Sequence, residues 1–591
     1  MSTVGVSIRG LVGGTRDSLA RYRLRVAAGP VPLIGAALAV GAGAGLAAVA
    51  FRWLVQAATQ FFSGTLDYAA TTGHPAHPWL PWLGGAFVIV APAVGGLVYG
   101  PLVQRFAREA RGHGVPEVMY AVARRGGHIP GRVAVVKALA SAITIGSGGS
   151  VGREGPIVQI GSALGSTLGR ITRMSESQLR TLVACGAAGG IAATFNAPIA
   201  GVFFALELIL RDFATRSFAA VMLSSITASV IGRAILGDHP FLALPALHVG
   251  QPAEYALFAA LGLLAGAVGV LFSKILYLIE DVCDWVWRGP EWLRPAVGGL
   301  LLGLLLFALP QLYGVGYPVL EASVAGKYAI GFLLLLVVAK MIATSLTIGI
   351  GGSGGVFAPS LVIGAALGAA FGETAGLLIP GLAGQAGTFA LIGMASVFAG
   401  STRAPITAGI ILFELTGEYT IILPLLLAVI VATGVSRLLS RDTIYTRKLI
   451  PRGVDLASPA LPGLRGLTVS SVMSAPPAPI PADRNARAAL ADLGRSHRRA
   501  APVVGGDGRL MGVLTAAAAT EALATDESMG TRQVAELTEA VVALAGDDQV
   551  GDVLESVVDA VATDGMPVVD DGHLIGWLAP ADLLRAASRS A

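Results

Sequence analysis

Two glycine-rich segments of this chain have the residue pattern of anion-binding sites. Gly146–Pro156 ends in Gly-Arg-Glu-Gly-Pro, which contains Glu154, and Gly351–Pro359 ends in Gly-Val-Phe-Ala-Pro. Glycine allows sharp backbone turns and proline is tolerated in a first helical turn, so each segment predicts the start of a helix. The first N–H groups of a helix lack intrahelical partners and together carry about half a positive charge. The segments therefore predict two anion-binding helix starts, with the acidic residue Glu154 in the first of them.

The two segments belong to an internal repeat. Lys137 returns as Lys340, and the residues around both keep one spacing of 203 residues. A later match, Ala197–Glu207 against Ala404–Glu414, has a spacing of 207 residues. Such repeats in an apolar chain are typical of transporters in which broken helices from two halves meet near the membrane midplane. Partial charges from N–H groups would hold an anion moderately, as conduction requires. The alternative is that the glycines only permit close helix packing.

The composition indicates that the repeat lies in a membrane. Hydrophobic residues make up 54% of the chain and charged residues 13%, whereas ordinary soluble domains contain about 25% charged residues. Several apolar runs reach the roughly 20 residues that cross a bilayer as a helix, and others are shorter and interrupted by glycine or proline. We therefore expect an all-α polytopic membrane domain with about 16–18 full and partial helices, in two repeats of opposite topology.

Changes in composition divide the chain into four parts. Residues 1–30 form a basic segment, which the positive-inside rule places in the cytoplasm. Residues 31–450 form the membrane domain, with repeats at 31–236 and 253–450. Residues 451–464 are a linker, and 465–591 predict a soluble α/β module of two similar halves, each with strand, turn, strand and helix.

Charge and cysteine content exclude other classes. The net charge of +4 is small for 591 residues and does not suggest nucleic acid as a partner. Cys185 and Cys283 stand in or beside apolar segments and show no metal-ligand spacing, so we expect them to be small buried hydrophobic residues.

The motifs resemble those of one family. Gly152–Pro156 together with Gly355–Pro359 resembles the signature of the CLC chloride channels and transporters, and Gly112–Pro116 resembles the family's first signature. Further matches are Asn196–Pro198, Ala404–Thr407 and Tyr445, and the tail resembles the paired cystathionine-β-synthase (CBS) domains that follow many members. The resemblance extends over nearly all of residues 31–590.

The resemblance implies a transport function and a set of site residues. Glu154 matches the gating glutamate, whose carboxylate occupies an anion site and leaves when it is protonated or displaced by an anion. The protein would be no enzyme, would need no cofactor or metal, and would transport chloride as a voltage-gated homodimer in the plasma membrane, with both the N-terminus and the CBS tail cytoplasmic. The candidate anion-binding residues are His113, Gly114, Val115, Gly152, Arg153, Gly155, Gly355, Val356, Phe357 and Tyr445.

Two departures from the family pattern bear on mechanism. His113 replaces the usual serine, and it either points away from the ion or adds a pH-dependent charge. Leu208 stands where proton-coupled members have an internal glutamate, and leucine cannot relay a proton. This second departure favours a passive gated chloride channel, with a proton-coupled H⁺/Cl⁻ exchanger as the alternative.

The CBS pattern for adenine nucleotides is incomplete. The family pattern has a hydroxyl residue three positions before an aspartate. The first copy has Thr515 but Ala518 in the acid position, and the second has Asp582 but Ala579 in the hydroxyl position. Each copy keeps half of the pattern, which weakens the case for nucleotide binding there.

A rhomboid-like intramembrane serine protease is the alternative from another class. Gly351–Gly354 fits a Gly-x-Ser-Gly nucleophile motif around Ser353. The motif is short in a chain with 78 glycines, and the next histidine after it is His497, in the soluble tail. We therefore treat it as a remote alternative.

Overall fold

The computed structural model describes two compact units. It covers residues 30–237, 251–380, 385–452, 454, 464 and 467–590, apart from positions 72, 74, 80, 497, 526, 540, 561 and 562. Unit 1 comprises Met1–Val454 and unit 2 comprises Asp455–Ala591. Residues 1–29 of the predicted basic segment and most of the predicted linker lie outside the described residues.

The described part of unit 1 contains sixteen α-helices, eight in each half. The helices of the first half are α1 (Pro30–Ser63), α2 (Phe87–Phe106), α3 (Val115–Arg124), α4 (Arg132–Gly146), α5 (Glu154–Ile171), α6 (Glu176–Phe195), α7 (Pro198–Phe204) and α8 (Thr215–Leu236). Those of the second half are α9 (Glu254–Val286), α10 (Arg294–Ala308), α11 (Tyr317–Val324), α12 (Ile330–Gly349), α13 (Phe357–Leu378), α14 (Ala386–Thr402), α15 (Pro405–Thr416) and α16 (Ile422–Leu439). A π-helical turn, Ala205–Leu210, continues α7.

Helices of two lengths make up this unit, as predicted. Seven helices among the described residues are long and apolar enough to cross a membrane, and they include α1, α9 and α12. Four apolar helices are shorter: Pro198–Leu210, Arg294–Ala308, Ala386–Thr402 and Pro405–Thr416. The full and partial spans expected from the interrupted apolar runs are therefore present.

Glycine allows the same close helix contact in both halves. A Cβ atom on Gly161 of α5 would stand 2.1 Å from the Gly186 carbonyl oxygen of α6. In the second half, a Cβ atom on Gly364 of α13 would stand 2.4 Å from the Gly393 oxygen of α14. Neither distance leaves room for a side chain, so glycine is required where these backbones touch. Close packing therefore does explain these glycines, which lie apart from the two predicted helix starts.

Two carboxylates join the halves reciprocally. Glu414, near the end of α15, accepts hydrogen bonds from the backbone N–H groups of Ile199 (3.0 Å) and Ala200 (2.6 Å) in the first turn of α7. Glu207, after α7, accepts from the N–H groups of Ile406 (3.2 Å) and Thr407 (2.9 Å) in the first turn of α15. Each acid satisfies helix-start donors of the other half. Such an exchange is what an approximate two-fold axis between the repeats produces.

Unit 2 contains two three-stranded sheets of one design. In the first, β1 (Ile480–Pro481) is parallel to β2 (Ala500–Val504), which is antiparallel to β3 (Leu510–Thr515). The second repeats this order with β4 (Leu544–Ala545), β5 (Met566–Asp570) and β6 (His573–Leu578). The accompanying helices are α17 (Val469–Val472), α18 (Ala486–Ser496), α19 (Ala516–Thr525), α20 (Val550–Asp559) and α21 (Pro580–Ser590). Each predicted copy of strand, turn, strand and helix is observed.

Candidate functional site

The two glycine-rich loops are hydrogen-bonded to each other. The Gly152 N–H donates to the Gly355 oxygen (2.7 Å), and the Gly355 N–H donates to the Gly152 oxygen (2.6 Å). These residues occupy the same position in the two repeats, at the spacing of 203 residues. The pair brings the amino ends of α5 and α13 together. The central expectation from the sequence, two helix starts that meet, describes the observed arrangement.

A third helix start lies against the other two. A Cβ atom on Gly155 would stand 2.1 Å from the His113 carbonyl oxygen and 3.0 Å from the Gly355 Cα. Gly114, which precedes α3, has φ 81°, and a Cβ atom there would stand 2.8 Å from the Gly155 oxygen. Glycine is therefore needed at both positions, for space and, at Gly114, for conformation. The starts of α3, α5 and α13 therefore converge at one place.

Two buried lysines donate hydrogen bonds to the first loop and to the segments that precede α3 and α11. The Lys137 ammonium donates to the Ala110 oxygen (3.0 Å) and the Gly112 oxygen (2.7 Å). The Lys340 ammonium donates to the Ser150 hydroxyl (2.8 Å) and the Gly314 oxygen (3.2 Å). The sequence shows that Lys137 and Lys340 are equivalent positions of the repeat, but it was not used to predict a role for them. A lysine inside an apolar span nevertheless indicates a functional site.

Threonine side chains cross between the loops in the same reciprocal way. The Thr144 hydroxyl accepts from the Ser353 N–H (3.3 Å), and the Thr347 hydroxyl accepts from the Ser150 N–H (3.1 Å). The Ser353 hydroxyl is fully buried and donates to the Ala110 oxygen at 2.7 Å. These contacts argue against the protease alternative, since this hydroxyl serves as a structural tie with no exposure to a substrate.

The Glu154 carboxylate lies between the amino ends of α5 and α13. Its Oε2 atom faces the Ala358 N–H in the first turn of α13, at an N···O distance of 3.4 Å. Its Oε1 atom accepts a hydrogen bond from the Tyr317 hydroxyl at 2.9 Å. The side chain is 1% exposed. A negative group thus occupies the place where the helix starts present their N–H groups.

His113 and Tyr445 form the neighbouring wall. Their ring centroids are 6.1 Å apart, and both residues are 1% exposed. Neither ring nitrogen of His113 has a hydrogen-bond partner among the described residues. Lys137 and Lys448 are among the cations that act electrostatically on this ring. Lys448 is itself paired with Glu280 (3.2 Å), and the imidazole retains unused hydrogen-bonding capacity.

The remaining predicted residues differ in whether a backbone N–H group or a side chain could contact an anion. Val115, Val356 and Phe357 have buried side chains, and the Phe357 ring packs 4.6 Å from the Phe398 ring centroid. The backbone N–H groups of Val356 and Phe357 suit an anion, whereas the Val115 N–H donates to the His113 oxygen (3.0 Å). The Arg153 side chain lies instead 5.1 Å above the Tyr317 ring centroid.

A cavity adjoins the Glu154 site. Its volume is about 370 Å³, and its lining includes Arg52, Arg153, Arg233 and Tyr317. Tyr317 lies outside every motif, and sequence reasoning missed it because its partner Glu154 is 163 residues away in the chain.

Both candidate nucleotide contacts in unit 2 are engaged within the protein. The Thr515 hydroxyl accepts from the Ala518 N–H (3.2 Å) at the start of α19. Asp582 accepts from the Ala579 N–H (3.0 Å) and pairs with Arg585 (2.9 Å) at the start of α21. Both side chains therefore accept a hydrogen bond from a backbone N–H group at the start of a helix.

Comparison with protein families gives a match over more than half of the chain. Residues 95–437 match the family described as voltage gated chloride channel, and residues 469–525 and 534–589 each match the CBS domain. The chain belongs to the CLC family. This membership and the two CBS domains confirm the resemblance and the fold class expected from the sequence, those of a multi-pass membrane protein with a CBS tail.

Individual CLC proteins are similar over most of their length. An H⁺/Cl⁻ exchange transporter, ClcA, of Vibrio parahaemolyticus is 38% identical over 354 residues, which is 59% of this chain and 76% of that protein. A putative chloride channel protein, ClcB-like, of Ralstonia nicotianae is 33% identical over 414 residues, 69% of this chain and 95% of that protein.

Solved CLC structures share the fold. A slow cyanobacterial Cl⁻/H⁺ antiporter superposes with a TM-score of 0.63 at 27% identity, covering 71% of this chain and 97% of that one. A eukaryotic CLC transporter gives a TM-score of 0.61 at 22% identity, covering 93% of this chain and 98% of that one.

Proposed function

We propose that this CLC protein exchanges chloride for protons through a pathway gated by Glu154. The observation that supports it is the Glu154 carboxylate between two helix amino ends, in the position suited to an anion. Relatives named as H⁺/Cl⁻ exchange transporters, at 33–38% identity, support the coupling to protons.

Competition for one positive site explains how the coupling would work. A carboxylate and a chloride ion both carry one negative charge, so the helix starts around Glu154 hold one or the other. Protonation removes the charge of the carboxylate and weakens its hold on these N–H groups. The carboxyl group then leaves with its proton while an anion enters. Each cycle would therefore move a proton and chloride in opposite directions.

The passive-channel interpretation has weaker support than exchange. It relied on Leu208, which is buried and has no group that can relay a proton. Its neighbour Glu207 is occupied as a cap of α15. Proton transfer to Glu154 would then use groups other than an acid at position 208. The ClcB-like relative is named as a putative chloride channel, but ClcA of Vibrio parahaemolyticus, at 38% identity, is named as an H⁺/Cl⁻ exchange transporter, and we propose coupling in spite of this substitution.

Proteoliposomes separate the two mechanisms. With chloride concentrated outside, we expect chloride influx to drive protons outward, so that the external solution acidifies even against an opposing pH gradient. A simultaneous chloride and pH recording measures both fluxes, and a proton ionophore should abolish the acidification. Chloride influx with no acidification would replace the exchanger with the passive channel.

We also propose that His113 donates an N–H group to the transported anion. Its two ring nitrogens are buried without partners among the described residues, and an unsatisfied buried donor costs about 1–3 kcal/mol. An anion between His113 and Tyr445 would satisfy one nitrogen. The serine of other members would offer an O–H donor from the same position.

A pair of substitutions tests His113. His113→Phe keeps an aromatic ring beside Tyr445 and removes both nitrogens, and we expect chloride affinity to fall about tenfold, the value of one hydrogen bond to an ion. His113→Ser keeps a donor and should lose less. Calorimetric titration with chloride measures both affinities. Equal affinity in His113→Phe and the unaltered protein would mean that the ring nitrogens do not bind the ion.

Assembly and location are proposed from the outer helices. α7 contacts α8 and α15, and α15 contacts α16, so these four helices form one continuous layer. Its exposed apolar side chains include Ile199, Ile226, Val230, Ile406, Leu423 and Ile430. We propose that this layer faces a second copy in a homodimer and that other apolar faces meet lipid. The protein would lie in the plasma membrane with its N-terminus and CBS tail cytoplasmic.

For unit 2 we propose a module that needs no cofactor. Thr515 and Asp582 already cap α19 and α21, and each belongs to an incomplete nucleotide pattern. A role as a protein scaffold is consistent with both observations, and voltage dependence would then arise from the membrane unit.

A further inference from the structure

Tyr317 lies at the boundary between the adjoining cavity and Glu154. It is the first residue of α11, and Gly316 before it has φ 95°, a backbone conformation that favours glycine. A Cβ atom on Gly316 would stand 3.1 Å from the Lys340 ammonium. The turn that presents Tyr317 is therefore held against the same buried lysine that supports the first glycine-rich loop.

The phenol makes the shorter of the two contacts that join the Glu154 carboxylate to residues further along the chain. The hydroxyl of Tyr317 donates to Oε1 at 2.9 Å, while the Ala358 N–H faces Oε2 at 3.4 Å. A hydrogen bond to a charged acceptor is stronger than one between neutral groups, and it strengthens further where water is excluded. This contact thus favours the carboxylate in its present position over any position beyond the reach of the hydroxyl.

The Arg153 side chain contacts the face of the Tyr317 ring. The Arg153 guanidinium lies 5.1 Å from the ring centroid, within the range of a cation–π contact. Arg153 immediately precedes Glu154, so the ring is fixed between two consecutive residues: one contacts its face and the other its hydroxyl. A cation over the ring also draws electron density from it, which makes the hydroxyl a better donor.

We propose that Tyr317 is a latch for the gate: a positioning residue whose hydroxyl holds the Glu154 carboxylate in the anion site and so sets how much chloride is needed to displace it. This rests on the proposed function, because it assumes that chloride and the carboxylate compete for one site. The Tyr317 hydroxyl acts only while the Glu154 carboxylate occupies the anion site. Its removal raises apparent chloride affinity without touching the helix starts that bind chloride.

Calorimetric titration of the full-length protein in detergent with sodium chloride tests the latch. Tyr317→Phe removes only the hydroxyl, and we expect chloride to bind up to about tenfold more tightly, which corresponds to about 1.4 kcal/mol. Tyr313→Phe is the matched control. Tyr313 lines the same cavity, but its hydroxyl donates to the Gly146 backbone oxygen at 2.6 Å, so chloride affinity should not change.

A second background separates a latch from a structural effect. In Glu154→Ala, no carboxylate remains to be held, so adding Tyr317→Phe should leave chloride affinity at the value of Glu154→Ala alone. Unchanged affinity in Tyr317→Phe, or an equal change in both backgrounds, would overturn the latch. If neither the unaltered protein nor Glu154→Ala bound chloride at all, the proposed function itself would fail, and the two failures are thus distinguishable.

Discussion

Glu154→Ala is expected to abolish proton transport while chloride continues to move. The carboxylate occupies the place between the α5 and α13 amino ends, and alanine leaves that place open to an anion at all times. No titratable group then remains there to accompany the anion. Chloride flux should be at least as fast as in the unaltered protein, and proton flux should fall to the background of empty liposomes in the paired chloride and pH recording.

Glu321→Ala is the matched control for this prediction. Glu321 lines the adjoining cavity and is exposed, so its removal takes away one acid near the pathway without opening the site. We expect coupled transport to persist in this variant. Proton transport that survived Glu154→Ala would show that another group moves the proton, and the gating role given to Glu154 would be wrong.

Gly155→Ala is expected to abolish transport by separating the three helix starts. The added methyl group would lie 2.1 Å from the His113 oxygen and 3.0 Å from the Gly355 Cα, and both contacts are with backbone that cannot rotate away. Overpacking typically costs about 1–3 kcal/mol where side chains can adjust, and we expect about 3 kcal/mol or more here. Chloride efflux and calorimetric chloride binding should both fall at least tenfold.

Gly35→Ala supplies the comparison for Gly155→Ala. Gly35 lies inside α1, and a Cβ atom there would meet nothing within 4 Å. Alanine favours a helix over glycine by up to about 1 kcal/mol, so this variant should transport normally and unfold at an equal or higher temperature. Full activity of Gly155→Ala would falsify the close approach of α3 and α5 described above.

The repeat explains how much of the site could be predicted from the sequence. A constant spacing between Lys137 and Lys340, and between Gly152 and Gly355, implies that the two loops have equivalent backbone structure. In the structure the two equivalent positions are in contact, because Gly152 and Gly355 form hydrogen bonds with each other. Local rules for glycine and proline were enough to predict both helix starts, since backbone conformation at a helix start depends mainly on neighbouring residues.

Side-chain directions could not be predicted in this way. The position of the Tyr317 hydroxyl depends on how α11 packs against α13 and α14, and this packing brings together two residues that are 163 positions apart in the chain. Likewise, the sequence left open whether His113 faces the ion or turns away, and only the packed rings show that it lies beside Tyr445. The preference for a passive channel likewise rests on the residue type at position 208, and the sequence does not show which side chains contact Glu154.

The exchange of carboxylate caps between Glu207 and Glu414 has a consequence for biosynthesis. When the ribosome has added Ala200, the acid that satisfies the Ala200 N–H is still 214 residues from being made. At about 5–20 residues per second, that interval lasts on the order of 10–40 s. During this interval the N–H groups in the first turn of α7 lack their carboxylate acceptor. Lipid cannot supply an acceptor in its place. Maturation of the first half must therefore wait for the second half, and a chain truncated between them should be a substrate for quality-control proteolysis.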